Sequence, residues 1–454
     1  MWRWSFDLTV KRAVLIGVSW LGLACAGGGG IRPGAVTPAE IPALLTQARQ
    51  QPNNASVRFR LAAALMAAGR CDTAVVVAHA GELLAPADAV GPLVVGGCQE
   101  KGGRYDLAFA TYSDFAAHHP QARGVAAVRA KAQFALRTQA EQTARQALAS
   151  ESTLTRLAPE PSTLAVLPVT ISATGPGGDS TFQPLSRGLA ELMTSDLALV
   201  RTLRLLERVQ IGALLDELKL GQGQRADPTT AARVGRLLRA ERMVQGVASI
   251  TANGPVRLSA SVVRGDGTVR SGAQANGTFK DLLDLEKQLV FGVAGQLGIQ
   301  LTEAERQSIL RQGPRNLAAF LAYSQGLDAL DRGDYRAAAA AFNASVRADP
   351  SFQAAHEQQQ AAEAAPAVQA GGDVVTVANA VEQASAAPEQ STVGALGAGT
   401  ADLSPTLTDQ VTEATSTGTS ATLQQPTPDS QGISSVAQAS GVLRIRIIFR
   451  RVAP

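Results

Sequence analysis

Histidine is scarce in this chain. Four stand among 454 residues, at His79, His118, His119 and His356, and residues 164–300 hold neither histidine nor cysteine. That stretch is best able to build a pocket, so Ser-His-Asp and Cys-His catalysis are excluded from it. Carboxylates such as Asp216 and Glu217 remain, without a pairing signature. Cysteine is as rare: Cys25, Cys71 and Cys98 show no C-x-x-C spacing and no Cys/His cluster for a metal. His118-His119, before Pro120, reads as a solvated helix end because no matching ligand run stands nearby. Aromatics make up only 4% and do not interleave with basic residues, which argues against nucleic acid. The expectation is a protein without catalysis, cofactor or metal.

Basic residues are missing from one long stretch. No Lys or Arg lies between residues 348 and 443 while ten Asp and Glu do, so the net +3 conceals about +13 elsewhere, mostly arginine. Such an excess either favours an anionic surface or reflects solvated helix faces. The apolar run that ends at Cys25 spans about a dozen residues, too few for a hydrocarbon core that needs roughly 20. Arg3, Lys11 and Arg12 precede it, and four glycines follow from Gly27. A charged start, a short apolar core and small residues before a cut describe an export signal over residues 1–25. A cysteine at the cut resembles the lipobox of bacterial lipoproteins, in which the thiol is diacylated and becomes the new N-terminus. That resemblance implies lipidation of Cys25, with Ala26 implying outer-membrane sorting and a chain facing the periplasm. Plain secretion, giving a soluble periplasmic or secreted protein, and an uncleaved anchor are the alternatives.

Proline then marks a period. Pro52, Pro86 and Pro120 stand 34 residues apart, and Gly69 with Gly103 and Ala74 with Ala108 share the frame. With Gly96, Gly103, Tyr105, Ala108, Tyr112 and Pro120 in place, the stretch resembles the tetratricopeptide repeat. Small residues let two helices approach closely, and Pro ends the second helix because it cannot continue the hydrogen-bond ladder. The resemblance implies a helical solenoid over residues 37–150, with a cap at 37–51 and a degenerate third helix pair at 122–149. In that frame Cys71 opens the second helix of one pair and Cys98 sits late in the first helix of the next. Stacking makes those ends neighbours, so we expect a Cys71–Cys98 disulfide in an oxidising compartment; two buried free thiols are the alternative.

A Pro-containing linker near residues 150–162 leads into alternating strands and helices. Leu164-Ala165-Val166-Leu167-Pro168-Val169 is a short apolar strand, and residues 171–181 a glycine-rich loop. Leu185, Leu189, Leu192, Met193 and Leu197 have helical spacing. A strand at 203–206 enters a helix with Ile211, Leu214, Leu215 and Leu218, and Asp227-Pro228 opens another helix. Strands follow at 243–250, 256–263 and 268–274, the last two joined by Gly265-Asp266-Gly267, and a helix closes at 282–297. That order, with Leu205-Leu206-Glu207-Arg208 and Ala240-Glu241-Arg242-Met243-Val244-Gln245-Gly246, resembles the curli-secretion lipoprotein family CsgG. The LpoB and FlgO lipoproteins and the TolB N-terminal domain are similar to it. The resemblance implies a three-layer α/β domain at 163–300, outside the cytoplasm, used for assembly and protein contacts.

The loop Gly175-Pro176-Gly177-Gly178-Asp179-Ser180 lies where a phosphate cradle would, but it lacks the G-K-[ST] ending and carries an acid. It reads as a flexible connection. Arg233, Arg236 and Arg239 share a helix face, which either grips phosphates or is simply solvated.

The repeat template returns at Gly326, Gly333, Tyr335, Ala338, Phe342 and Pro350, implying one more helix pair at 301–357 that packs on the α/β domain or on another subunit. Residues 358–441 lack the aliphatic and aromatic content for a core and are expected to be disordered. Residues 442–451 are β-branched and partly alternating, either a terminal strand that docks on an edge of a domain or partner or a sticky tail without a fixed partner. The expected fold class is α+β and multidomain. The expected function is an exported, outer-membrane-anchored scaffold in envelope assembly, secretion support or regulation. Its partners would be proteins in the repeat grooves and the membrane through the lipid, with homo-oligomers possible and nucleic acid excluded. The alternative is an oligomeric CsgG-like secretion channel, which needs membrane strands of about 9–11 residues; Arg257, Arg264 and Arg270 interrupt the available hairpin.

Overall fold

The computed structural model describes residues 36–174, 182–220, 227–251, 254–371 and 374–378. Cys25 and the expected export signal, the loop at 175–180, the expected tail beyond 378 and the expected terminal strand at 442–451 lie outside the described residues. Everything described belongs to one compact unit.

Helices come first: α1 Ile41–Gln50, α2 Ala55–Ala67, α3 Cys71–Glu82, α4 Val90–Lys101, α5 Tyr105–His118 and α6 Val125–Ala149. Asn54 starts α2 by accepting the Val57 N–H at 3.2 Å. Helix α4 turns into α5 through Gly103 at φ +69°, a conformation that side chains with a Cβ rarely adopt. The pair packs tightly because Gly96 has no side chain: a Cβ there would overlap the buried Tyr112 ring. The expected third pair is instead the single 25-residue helix α6. Neither glycine nor proline interrupts it, so nothing in the chain breaks its ladder.

The sheet has six strands: β1 Glu160–Val166, β2 Thr170–Thr174, β3 Arg204–Leu205, β4 Ala240–Thr251, β5 Pro255–Arg264 and β6 Val269–Thr278. Their order is β3-β1-β4-β5-β6, and β2 continues beside the second half of β4. Strands β1, β2 and β3 pair in parallel and β4 to β6 antiparallel, which makes the sheet mixed. The first residues of the expected glycine-rich loop are therefore strand. Ile171 is buried and Thr170 to Thr174 align with Val247 to Thr251.

Helices cover both faces. Alternation along β1 sends Leu164 and Val166 to one core and Ala165, with Leu167 beyond it, to another. The first core is closed by α7 Pro184–Leu197 and α10 Leu282–Gln296. The second is closed by α8 Arg208–Glu217, α9 Pro228–Leu238 and the last turns of α6, through Ala144 and Ala147.

Beyond the sheet lie α11 Glu303–Arg311, α12 Leu317–Asp331, α13 Tyr335–Ala348 and α14 Gln353–Gln369. The α12–α13 pair repeats the device of α4–α5: Gly333 turns at φ +77°, and a Cβ on Gly326 would overlap Phe342. The low-complexity tail does not begin at 358. Helix α14 runs to Gln369 with Ala355, Ala361, Ala362, Ala364 and Ala365 buried, and residues 374–378 are again helical. Alanine is the strongest helix former, and rows of alanines let α14 lie close on α6 and α13, so a segment without large side chains still builds a core. No helix among the described residues is long and apolar enough to cross a membrane.

Candidate interaction site

Helix α6 is where the parts of the chain meet. Its first half, from Val125 to Ala135, shares a core with α2 to α5. Its middle touches the later helices: the Phe134 and Tyr335 rings meet edge-on at 5.5 Å, Gln133 Nε2 donates to Gln358 Oε1 at 2.6 Å, and Arg129 donates to Gln360. Its last turns join the sheet domain. Between α4, α5, α6 and the end of α14 lies a groove of about 220 Å³, lined by Glu100, Tyr105, Lys131, Phe134, Thr138 and Val368 among others. Lys131 Nζ stands 2.8 Å from Glu100 Oε2, and Tyr112 donates to Glu100 Oε1 at 3.1 Å. Burial, then Glu100, pushes the Tyr112 hydroxyl well above its ordinary value. The groove offers aromatic edges, aliphatic walls and one internally neutralised ion pair. Those features suit a peptide side chain.

A charged junction fastens the later helices to the sheet domain. Arg208, first residue of α8, donates from Nη1 to Asp331 Oδ2 at 2.7 Å, from Nη2 to Asp331 Oδ1 at 3.1 Å and from Nε to Glu191 Oε2 at 3.1 Å. Arg187 on α7 donates to Asp328 Oδ1 at 2.7 Å and to Asp331 Oδ2 at 2.5 Å. Burial pushes the Asp331 carboxyl up, but the Arg208 and Arg187 guanidiniums outweigh it and hold it below the usual range. Helix α12 can reach these groups because Gly188 lets it cross α7 closely; a Cβ there would stand 2.8 Å from Ser324 Cβ and overlap its hydroxyl. Sequence reasoning missed this network. Its signal is Asp328 and Asp331 at i,i+3 in the last turn of a mostly apolar helix, where a charge that becomes buried demands a partner.

A second charged set lies under the sheet. Lys287 Nζ stands 2.6 Å from Asp196 Oδ2 and 3.4 Å from Glu286 Oε2, with both carboxylates fully buried. Burial raises Asp196 to about 6 against the pull of Lys287, and burial with the Asp196 charge raises Glu286 well above its ordinary value. One ammonium faces two buried carboxylates, and burial with the Asp196 charge disfavours ionisation of Glu286.

Of the residues singled out from sequence, Cys71 opens α3 and Cys98 stands late in α4; their Cα atoms are 5.4 Å apart and their sulfurs are joined. Each member of the arginine row has a protein partner near the surface: Arg233, itself exposed, pairs with Glu151 at 2.7 Å, Arg236 donates to the Gly265 carbonyl at 2.6 Å, and Arg239 pairs with Glu160 at 3.0 Å. His118 Nδ1 lies 2.8 Å from the Asp114 carbonyl, and the His119 ring lies tilted against Phe115 with centroids 5.1 Å apart. Among the described residues no cluster of three or more His, Cys, Asp or Glu is placed to hold a metal.

Residues 116–257 match the family model described as "Curli production assembly/transport component CsgG". The match covers just under a third of the chain, from the end of α5 through α6 and β1 to β4 into β5. It starts earlier and stops sooner than the stretch 163–300 that carried the resemblance. The sheet domain is thus CsgG-like, similar to a family described by assembly and transport rather than by a reaction. No curated protein matches the chain.

Proposed function

We propose that this chain is an exported component of a bacterial cell envelope, held to the outer membrane by a lipid on Cys25, that works as a non-enzymatic scaffold in envelope assembly or secretion. The observation that supports it most is a CsgG-like sheet domain continuous, through α6, with paired helices of 34-residue period. In this reading the helices act as tetratricopeptide-type modules whose groove beside Lys131 and Phe134 receives a partner segment, and the sheet domain docks or oligomerises. The disulfide suits an oxidising compartment.

A photo-crosslinking residue at Thr138, beside the groove, tests the reading in cells. The expected result is capture of one defined envelope protein from Thr138 but not from the exposed Asp284 on α10, which covers the other face of the sheet. Capture of nothing, or of the same products from both positions, overturns it. Cys25→Ala is expected to move the chain from the membrane pellet to the soluble fraction. Ring-shaped particles that conduct ions in a planar bilayer would favour the channel instead.

A further inference from the structure

We propose that the surface where α4 and α6 begin is a docking site for short valine- and alanine-rich segments, and that residues 374–378 of the same chain hold it shut. This rests on the reading of the paired helices as partner-docking modules and adds how that surface is regulated.

The occupant is visible. Val374, Val375, Val377 and Ala378 are only 6%, 6%, 7% and 8% exposed, and all four belong to the same apolar core as α2 to α6. They come from a stretch whose composition gave no reason to expect a core. Their positions are i, i+1, i+3 and i+4, one face of a helix. Ala378 sits against the start of α6: a Cβ built on Gly124, which precedes that helix, would lie 3.5 Å from Ala378 Cβ, and 3.0 Å from the Cβ of Ala89, the residue that precedes α4. Space beside Gly124 is therefore tight, and Ala378 fits there with a single methyl.

The occupant is also separable. Helix α14 reaches Ala370, and Gly371 at φ +71° then turns the chain out of the helical path. Residues 374–378 are thus helical again beyond that turn rather than a continuation of α14. Burial of small aliphatic side chains is non-directional, so another segment with the same pattern reproduces it. The groove lined by Val368 and Phe134 adjoins the same core and gives a longer ligand further purchase. The partner that fits is an amphipathic helical segment with Val or Ala at i, i+1, i+3 and i+4 and no charge on that face, bound in the helix-in-groove mode. Tethering gives the internal segment an effective concentration that any partner must exceed.

The test uses the full chain and a fluorescein-labelled peptide of residues 370–380. Fluorescence anisotropy compares the wild type with a Val375→Asp, Val377→Asp double variant. The expected result is that the variant binds the peptide at least tenfold more tightly. Equal binding, weak or strong, overturns the proposal. Circular dichroism checks that the variant keeps its helices. Should it unfold, hydrogen exchange on the wild type decides: amides of 374–378 are expected to exchange at least tenfold faster than those in the first half of α6, and one common rate overturns the idea. If the Thr138 crosslink captures the same partner equally from wild type and variant, the closure fails while the docking reading stands. If neither captures a partner, the docking reading itself fails.

Discussion

Replacing Asp331 by Ala should release the α12–α13 pair from the sheet domain without unfolding the sheet. The carboxylate accepts both terminal nitrogens of Arg208 at 2.7 and 3.1 Å and the Arg187 Nε at 2.5 Å. Arg208 is 10% exposed at its side chain and Asp331 25%, so the pair is mostly, not wholly, out of water. Breaking a fully buried pair by deleting one partner costs about 3–5 kcal/mol, because the remaining charge is left in a poor solvent. Scaling for the open quarter of Asp331, and for Glu191 as a remaining partner of Arg208, gives about 2–3 kcal/mol. Native-state hydrogen exchange is the suitable assay, since a chain with several cores need not unfold in one step. Amides of α12 and α13 should lose about 30- to 150-fold in protection, while those of β4 and β5 keep theirs. Arg208→Met combined with Asp331→Leu should recover most of the loss, because it removes both charges and fills the volume; Arg187 keeps Asp328 at 2.7 Å. A change below threefold for Asp331→Ala, or a double variant as weak as the single one, would refute the reasoning.

Gly188→Val should separate α7 from α12, since even a Cβ overlaps the Ser324 hydroxyl and reaches 3.1 Å from Phe320; a loss of about 1–3 kcal/mol is expected in thermal unfolding, partly relieved by Ser324→Ala. Cys71→Ser with Cys98→Ser should cost the α2–α5 region about 3.5 kcal/mol, from the loop entropy of a 27-residue separation. Guanidinium unfolding with and without dithiothreitol checks this, and a wild type indifferent to reductant would contradict the bond. Glu286→Gln should flatten the pH profile. Folded Asp196 and Glu286 titrate above their unfolded values, so the native state holds more protons and loses stability as pH rises from about 4 through 6 and beyond. The variant should match the wild type near pH 4 and exceed it at pH 8; an identical slope in both proteins would show that Glu286 does not carry the effect.

Close packing leaves a mark in sequence where it depends on a fixed partner at a fixed distance. Gly96 beneath Tyr112 and Gly326 beneath Phe342 are that case, because each aromatic ring needs the gap and both lie within one hairpin. The strand at Leu164 was legible for a similar reason: its unbroken apolar run is what two covered faces require. Long-range pairing leaves no such mark. Arg187 and Arg208 find Asp331 across 144 and 123 residues, and each looks like a solvated charge until α7, α8 and α12 are brought together. Strand β2 was hidden because its partner, the second half of β4, lies 77 residues on. Helix α14 was hidden by composition. Alanine contributes little area per residue, but on a neighbouring helix it permits an approach that larger side chains forbid, and the buried row from Ala355 to Ala365 is the result.

The continuity of α6 changes how the chain should be divided. A boundary near residue 150 separates helical repeats from sheet domain on paper, but the helix that ends there has its first half in one core and Ala144 and Ala147 in the other. A 25-residue helix spans about 37 Å, and without glycine or proline it bends only gently. The CsgG family model begins at residue 116, before α6, so the helix travels with the sheet domain as well as with the hairpins. Packing of α8 along it, and of Tyr335 on Phe134 in the middle, holds it against rotation. A ligand seated where α4 and α6 begin therefore pushes on an element whose far end forms the wall of the second sheet core. In a scaffold this gives partner docking and sheet-domain contacts a shared rigid part, which a linker of the kind expected at 150–162 would not supply.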